Sequence, residues 1–204
     1  MLGGTGSVGR QVVEEALNAG HEVTVLGRDP AHLGSLAGRV DFVQGEVTDP
    51  RSFEGLAGAQ AVISTLSADR SHSTDLMTRA MTTTIEAMRR AGVRRLVVLT
   101  NASVLAPGDR PTLVQRLIRA ILERRLGRVN ADHRGQAAVV RGSGLDWTIV
   151  RAPRLVDRPA AGRYRVGNVD ARARISIGRS DLAGFIFKCA ATGQHQGQLP
   201  MVSG

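Results

Sequence analysis

Aromatic residues make up only 3% of this chain, and tyrosine, tryptophan, lysine and cysteine each occur once, as Tyr164, Trp147, Lys188 and Cys189. A single cysteine excludes an internal disulfide, and its place on the apolar face of a predicted helix marks Cys189 as a buried, inert thiol rather than a nucleophile. So few aromatics remove the stacking platforms of single-strand nucleic-acid binders. The basic residues are not grouped into the block of a nucleic-acid arm either, so nucleic acid is not an expected partner. His21, His72 and His195 stand in turn-like contexts without ligand spacing, and no cluster of cysteine, histidine and aspartate points to a metal. No apolar run reaches the roughly 18 residues that would span a bilayer, and the N-terminus lacks the regions of a signal peptide. The expectation is therefore a cytoplasmic protein with no membrane contact.

What is present suffices for a full core. The 204 residues are 42% hydrophobic and most simply form one domain, with no internal repeat, low-complexity tract or linker-like run. The net charge of +9 is unevenly spread. Residues 1 to 105 hold 10 arginines against 11 acids, whereas residues 106 to 204 hold 16 arginines and Lys188 against 7 acids. An excess confined to the second half is shared by proteins that bind nucleic acid, membranes or anionic substrates, and with the first two not expected here it leaves an anionic substrate.

Residues 3 to 9, Gly-Gly-Thr-Gly-Ser-Val-Gly, run directly into a helical pattern formed by Val8, Val12, Val13, Ala16 and Leu17 and closed by Gly20. Gly3, Gly6 and Gly9 have separate uses: a sharp bend, close backbone approach to a pyrophosphate, and tight contact between helix and sheet. The open amides of that helix then face the anion. His21 to Leu26 reads as the next strand, and it ends at Arg28, where an NAD-preferring site normally carries an acid for the ribose hydroxyls. An arginine there matches a 2′-phosphate, which makes NADP(H) the expected coenzyme over NAD(H). Asp29 follows at once and leaves the acid alternative open. Only Met1 and Leu2 precede Gly3, where such a sheet takes a strand of about five residues. Most of the central strand is expected to be missing, with the natural start upstream.

Strands alternate with helices thereafter. Pro30 to Leu36 is a short helix, Val40 to Gln44 a third strand, Asp49-Pro50 the start of another short helix and Ala61 to Leu66 a fourth strand. A long helix from about Ser73 to Ala91 leads to a fifth strand, Leu96 to Thr100. Pro111 opens a helix expected to turn Leu113, Leu117, Ile118, Ile121 and Leu122 inward and Arg116, Arg119, Arg124 and Arg125 mostly outward. Asn130 to Arg141 is a second helix, Trp147 to Val150 a sixth strand, and Ser180-Asp181 caps a last helix to about Ala191. Leu199 to Val202 reads as a final edge strand. This order predicts an α/β fold, a Rossmann-type doubly wound parallel sheet with a small C-terminal substrate-side region.

Ligands of such sheets bind beyond the carboxyl ends of the strands. Those positions are Gly3 to Gly9, Arg28, Glu46-Val47, Ser64 to Ser67 with Leu66 among them, Thr100 to Ser103, and Pro153-Arg154. Glu46 can accept from an adenine amino group while Val47 packs on the ring. His133 is the leading candidate for proton transfer, since an unperturbed pKa near 6.5 allows donation at neutral pH. Its alternative role is to order a helix terminus or bind the coenzyme without reacting.

In order, the glycine turn, the strand ending Val-Leu-Gly-Arg-Asp, Gly-Glu-Val, Asp132-His133 and Ile-Val-Arg-Ala-Pro-Arg resemble the atypical short-chain dehydrogenases. The likeness is to the NAD(P)H-binding branch with flavin (biliverdin-IXβ) reductase and the NmrA-like redox-sensing regulators. The resemblance implies pyrophosphate contact by Thr5, Gly6, Ser7 and Val8, and 2′-phosphate contact by Arg28 with His32 or Arg70. It also implies nicotinamide positioning by Thr100, Asn101, His133 and Pro153. Most short-chain dehydrogenases use a Tyr and a Lys four residues apart as a proton relay, whereas Tyr164 and Lys188 lie 24 residues apart. That relay is absent, so a proton must come from His133, Ser103 or water, and Asn101 can only donate a hydrogen bond. The resemblance implies a reductase passing hydride from NADPH to a conjugated small-molecule acceptor such as a flavin or quinone, with Arg154 placed to attract an anionic one. Its alternative is a non-catalytic NADP(H) sensor acting through a protein partner.

Overall fold

The computed structural model describes residues 1–67 and 75–204. After the glycine turn come α1 (Ser7–Asn18) and β1 (Thr24–Gly27), then β2 (Asp41–Gln44) and β3 (Ala61–Ser64), each pair joined through a short 3-10 segment. Next are α2 (Leu76–Arg90), β4 (Arg95–Asn101), α3 (Leu113–Arg141) and β5 (Asp146–Ala152). The small strands β6 (Arg154–Val156), β7 (Arg165–Gly167) and β8 (Ser176–Gly178) lead to α4 (Arg179–Thr192) and β9 (Met201–Ser203).

Leu2 holds the centre of the sheet. It pairs in parallel with both Leu26 of β1 and Ser64 of β3, its amide donating to the Ile63 carbonyl at 2.8 Å while its carbonyl accepts from Thr65 at 2.9 Å. The strand order is therefore β2, β1, Leu2, β3, β4, β5, β9, β7, parallel except for the β7–β9 pair. A separate two-stranded sheet pairs β6 with β8.

Alternation along β4 sends Leu96 and Val98 to one face and Val97 to the other. The first face packs under α2 and α3 through Met81, Ile85, Met88, Ala137 and Val140. The second packs under α1 and α4 through Val8, Val12, Leu182 and Ile186. Cys189 is fully buried there, and burial pushes its thiol up to about 11, as suits an inert core residue.

The helices expected from Pro111 and from Asn130 form the two arms of α3, which meet at a kink at Leu126 (φ −125°, ψ 16°), the first arm capped by a reciprocal Thr112–Gln115 pair. Three sequence expectations are corrected. Leu113, Leu117, Ile118, Ile121 and Leu122 point to solvent, not inward. The tail strand is no edge: β9 lies between β5 and β7 with all three residues buried. Asp181 does not cap α4, because its carboxylate accepts from the amides of Ala161 and Gly162 instead.

Candidate functional site

The glycine turn is fixed from below by Thr65, whose hydroxyl donates to the Gly3 carbonyl at 3.1 Å. Gly3 has φ 73°, and a Cβ on it would stand 2.9 Å from the Thr65 backbone. At Gly9 a Cβ would lie 2.0 Å from the Gly3 carbonyl oxygen, so only glycine lets α1 start this close to the turn. Gly6 differs, for a Cβ there would meet only the Gly3 oxygen, at 3.3 Å. It is the N-cap of α1, with no side-chain cap and no acid in the first turn. The amides of Ser7, Val8 and Gly9 have no intrahelical acceptor by position, and the positive end of the helix dipole stands behind them. These residues fit an anionic diphosphate. Val8 contributes only its amide, since its side chain is part of the core.

At the other end of the crevice Arg28 is exposed just past β1, its carbonyl accepting from Gln44 Nε2 at 3.1 Å. Asp29 turns its carboxylate onto the Ala31 amide at 2.9 Å, capping the 3-10 segment that begins at Pro30. The ambiguity between acid and arginine is thereby reduced, because the acid has a local structural use. Arg10, which sequence reasoning missed, donates to the carbonyls of Thr5, Leu33 and His32. It ties the glycine turn to the segment carrying His32, which is itself exposed. Glu46 is exposed, while Val47 and Leu66 pack partly against the core under α2. Arg70 lies outside the described residues.

Over the end of β4 the side chains are interlocked. Thr100 Oγ1 and His133 Nδ1 share a hydrogen bond of 3.0 Å, both residues being buried. Burial pushes the His133 pKa below its ordinary value, more than the neighbouring Gln136 and Asp132 restore. A neutral imidazole at neutral pH follows, which favours the positioning role over the acid. Asn101 Oδ1 accepts from the amide and hydroxyl of Ser103, and its Nδ2 donates to Asn130 Oδ1 at 3.1 Å. Asn130 in turn donates to Glu123 at 2.9 Å. Donor-only and acceptor-only groups stand at the two ends of this chain, so the direction of the Asn101 amide is fixed.

Two buried charges organise this end without touching it. Asp132 accepts from the amides of Met77 and Thr78, each at 2.9 Å, and from the Thr78 hydroxyl at 2.7 Å, so it holds the start of α2 from the neighbouring helix. Arg151, fully buried on β5, donates to Asp109 and to the carbonyls of Val104 and Leu199, which anchors the loop after Ser103. Pro153 follows β5 half-buried, and Arg154 beside it, the first residue of β6, is exposed. Tyr164 and Lys188 are elsewhere: Tyr164 packs edge-on against Phe185, and Lys188 is exposed on α4. Among the described residues no group of three or more potential metal ligands is gathered.

Solved structures share this fold along nearly the whole chain. A Burkholderia pseudomallei protein provisionally described as exported is 24% identical with a TM-score of 0.81, covering 100% of this chain and 97% of its own. ChuY, an anaerobillin reductase from Escherichia coli O157:H7, is 20% identical with a TM-score of 0.80, covering 99% and 94%. The oxidoreductase ylbE of Lactococcus lactis is 18% identical with a TM-score of 0.79, covering 100% and 90%. At these identities the likeness establishes the Rossmann-type fold. The model of the NAD(P)H-binding family matches residues 3–192, and this chain therefore belongs to that family.

Proposed function

We propose that the protein is an NADPH-dependent reductase that delivers hydride to a conjugated small-molecule acceptor such as a flavin, a quinone or a tetrapyrrole. The observation that carries this reading is the buried Thr100–His133 pair beside the Asn101–Ser103 pair, with the only tyrosine half-buried elsewhere, against Phe185. These groups can orient a nicotinamide amide and an acceptor carbonyl, but none is an acid poised for proton transfer at neutral pH. A conjugated acceptor suits such a site, because solvent can protonate it after reduction. Bound NADPH supplies the hydride, and the protein supplies proximity.

The chain's own residues divide that work. The amides of Ser7 and Val8 hold the pyrophosphate, Arg28 takes the 2′-phosphate, and Glu46 and Val47 border the adenine. Thr100, Asn101 and Pro153 set the nicotinamide face. Arg154, exposed at the mouth, draws an anionic acceptor inward. The named activity of ChuY agrees with a tetrapyrrole among the candidates. The test is NADPH oxidation with a panel of flavins, quinones and linear tetrapyrroles. Turnover with at least one supports the reading. Tight binding of both coenzyme forms, with different affinities and no turnover, would favour a redox sensor instead.

A further inference from the structure

The first half of α3 is built inside out. Its inner side carries Gln115, Arg119 and Glu123, all half-buried. Gln115 donates to the Asp170 carbonyl, and Glu123 accepts from Asn130 and Arg134, each at 2.9 Å. Its outer side carries Leu113, Val114, Leu117, Ile118, Ile121 and Leu122, from 80% exposed at Leu113 to 43% at Ile118. Their spacing makes one stripe along the helix. Gln115 through Asp170, and Glu123 through Asn130 and its bond to Asn101, tie the polar side to the rest of the protein and leave the aliphatic side outward.

Exposed arginines surround the stripe: Arg110 and Arg116 near its start, and Arg124, Arg125 and Arg128 beyond its end. Glu123 is the only acid from residue 110 to 131, and it is engaged on the inner side.

We propose that this face docks on an anionic lipid bilayer, the aliphatic stripe entering the boundary between headgroups and acyl chains while the arginines reach lipid phosphates. Charge chooses this occupant over a second copy, which would bring arginines against arginines with no unengaged acid from residue 110 to 131 to answer them. Composition chooses it over a specific protein partner: the stripe is aliphatic throughout, with no aromatic residue from 110 to 131, whereas protein interfaces are anchored by aromatic side chains. The basic excess of residues 106 to 204 adds longer-range attraction to an extended anionic surface. Attachment is peripheral, since no helix among the described residues is long and apolar enough to cross a membrane. The sequence-based expectation of no membrane contact rests on the lack of a bilayer-spanning apolar run, a criterion that does not bear on peripheral docking through an exposed helix face.

The test is flotation of the full chain with phosphatidylcholine vesicles, with and without phosphatidylglycerol. Binding should require the anionic lipid and fall with salt. The double variant Leu117→Asp/Ile121→Asp should abolish it, and Arg124→Gln/Arg125→Gln/Arg128→Gln should weaken it by more than about tenfold. Thermal melting and NADPH affinity should be unchanged in both, because these side chains are exposed and lie outside the coenzyme residues. Absence of vesicle binding, equal binding to neutral vesicles, or a dimer in sedimentation velocity that Leu117→Asp dissolves would each overturn the proposal.

Discussion

Arg151 and Asp109 form a buried two-bond ion pair, Nη1 to Oδ2 at 2.6 Å and Nη2 to Oδ1 at 3.0 Å, with side-chain exposures of 0% and 4%. Asp109 also accepts from the amides of Ala106 and Val169 at 2.8 and 2.9 Å, so one carboxylate joins β5, the loop after β4 and the segment after β7. Asp109→Ala should destabilise the fold by about 3–5 kcal/mol in urea denaturation, because it leaves a buried guanidinium unanswered. The matched double variant Arg151→Met/Asp109→Leu should lose much less. Equal losses would place the cost in the backbone groups of Ala106, Val169, Val104 and Leu199 left without partners rather than in an unanswered guanidinium.

Acid sensitivity follows from the same carboxylate. Burial opposes ionisation of Asp109, but its bonds from Arg151, Ala106 and Val169 outweigh that and hold its pKa below the ordinary value. A depressed carboxylate stabilises fully above its unfolded pKa of about 3.9, and that contribution is lost as pH falls through the folded value. His133 adds a second, milder loss. Its folded pKa is also lowered, so the neutral form that the fold prefers prevails above 6.5, and stability declines as pH drops below that. Denaturation across pH 3 to 8 should therefore show two zones of loss, the upper one absent in His133→Gln.

Catalytic rate should not report His133 ionisation. With His133 neutral, turnover should be flat from about pH 6.5 to 8, and His133→Gln, which keeps a partner for Thr100, should retain most activity. His133→Leu strands a buried hydroxyl at a cost of about 1–3 kcal/mol and should lose more. A bell-shaped profile that vanishes in His133→Gln would restore the acid role.

Gly6 and Gly9 should behave oppositely. Gly9→Ala drives a methyl into the Gly3 carbonyl, and overpacking of this kind costs about 1–3 kcal/mol or more. Gly6→Ala meets little protein, so its melting temperature should hold, while the proposed pyrophosphate contact at this turn predicts that NADPH affinity drops by at least about tenfold. Calorimetry and thermal melting on both variants would separate the two roles.

Much of this was legible in the sequence where the cause is local. Gly3, Gly6 and Gly9 answer to backbone geometry, and the periodicity of α1 and β4 answers to burial of one face, so both could be read from neighbouring residues. Buried charge could not. Arg151 and Asp109 are 42 residues apart, and Asp132 and Met77 are 55 apart, so nothing local marks them as partners. Arg10 was hidden for the same reason. In α3 the amphipathic pattern was read correctly, but a pattern says which residues share a side and not which side the protein keeps. Only the contacts of Gln115 and Glu123 decide that.

Titration calorimetry of NADPH and NADH against the protein and its Arg28→Ala variant tests the coenzyme reading most directly. The account predicts tighter binding of NADPH by the unaltered protein, with Arg28→Ala weakening NADPH by about tenfold or more through loss of a charge-assisted contact while NADH changes little. Equal losses for the two coenzymes, or no preference to begin with, would contradict it.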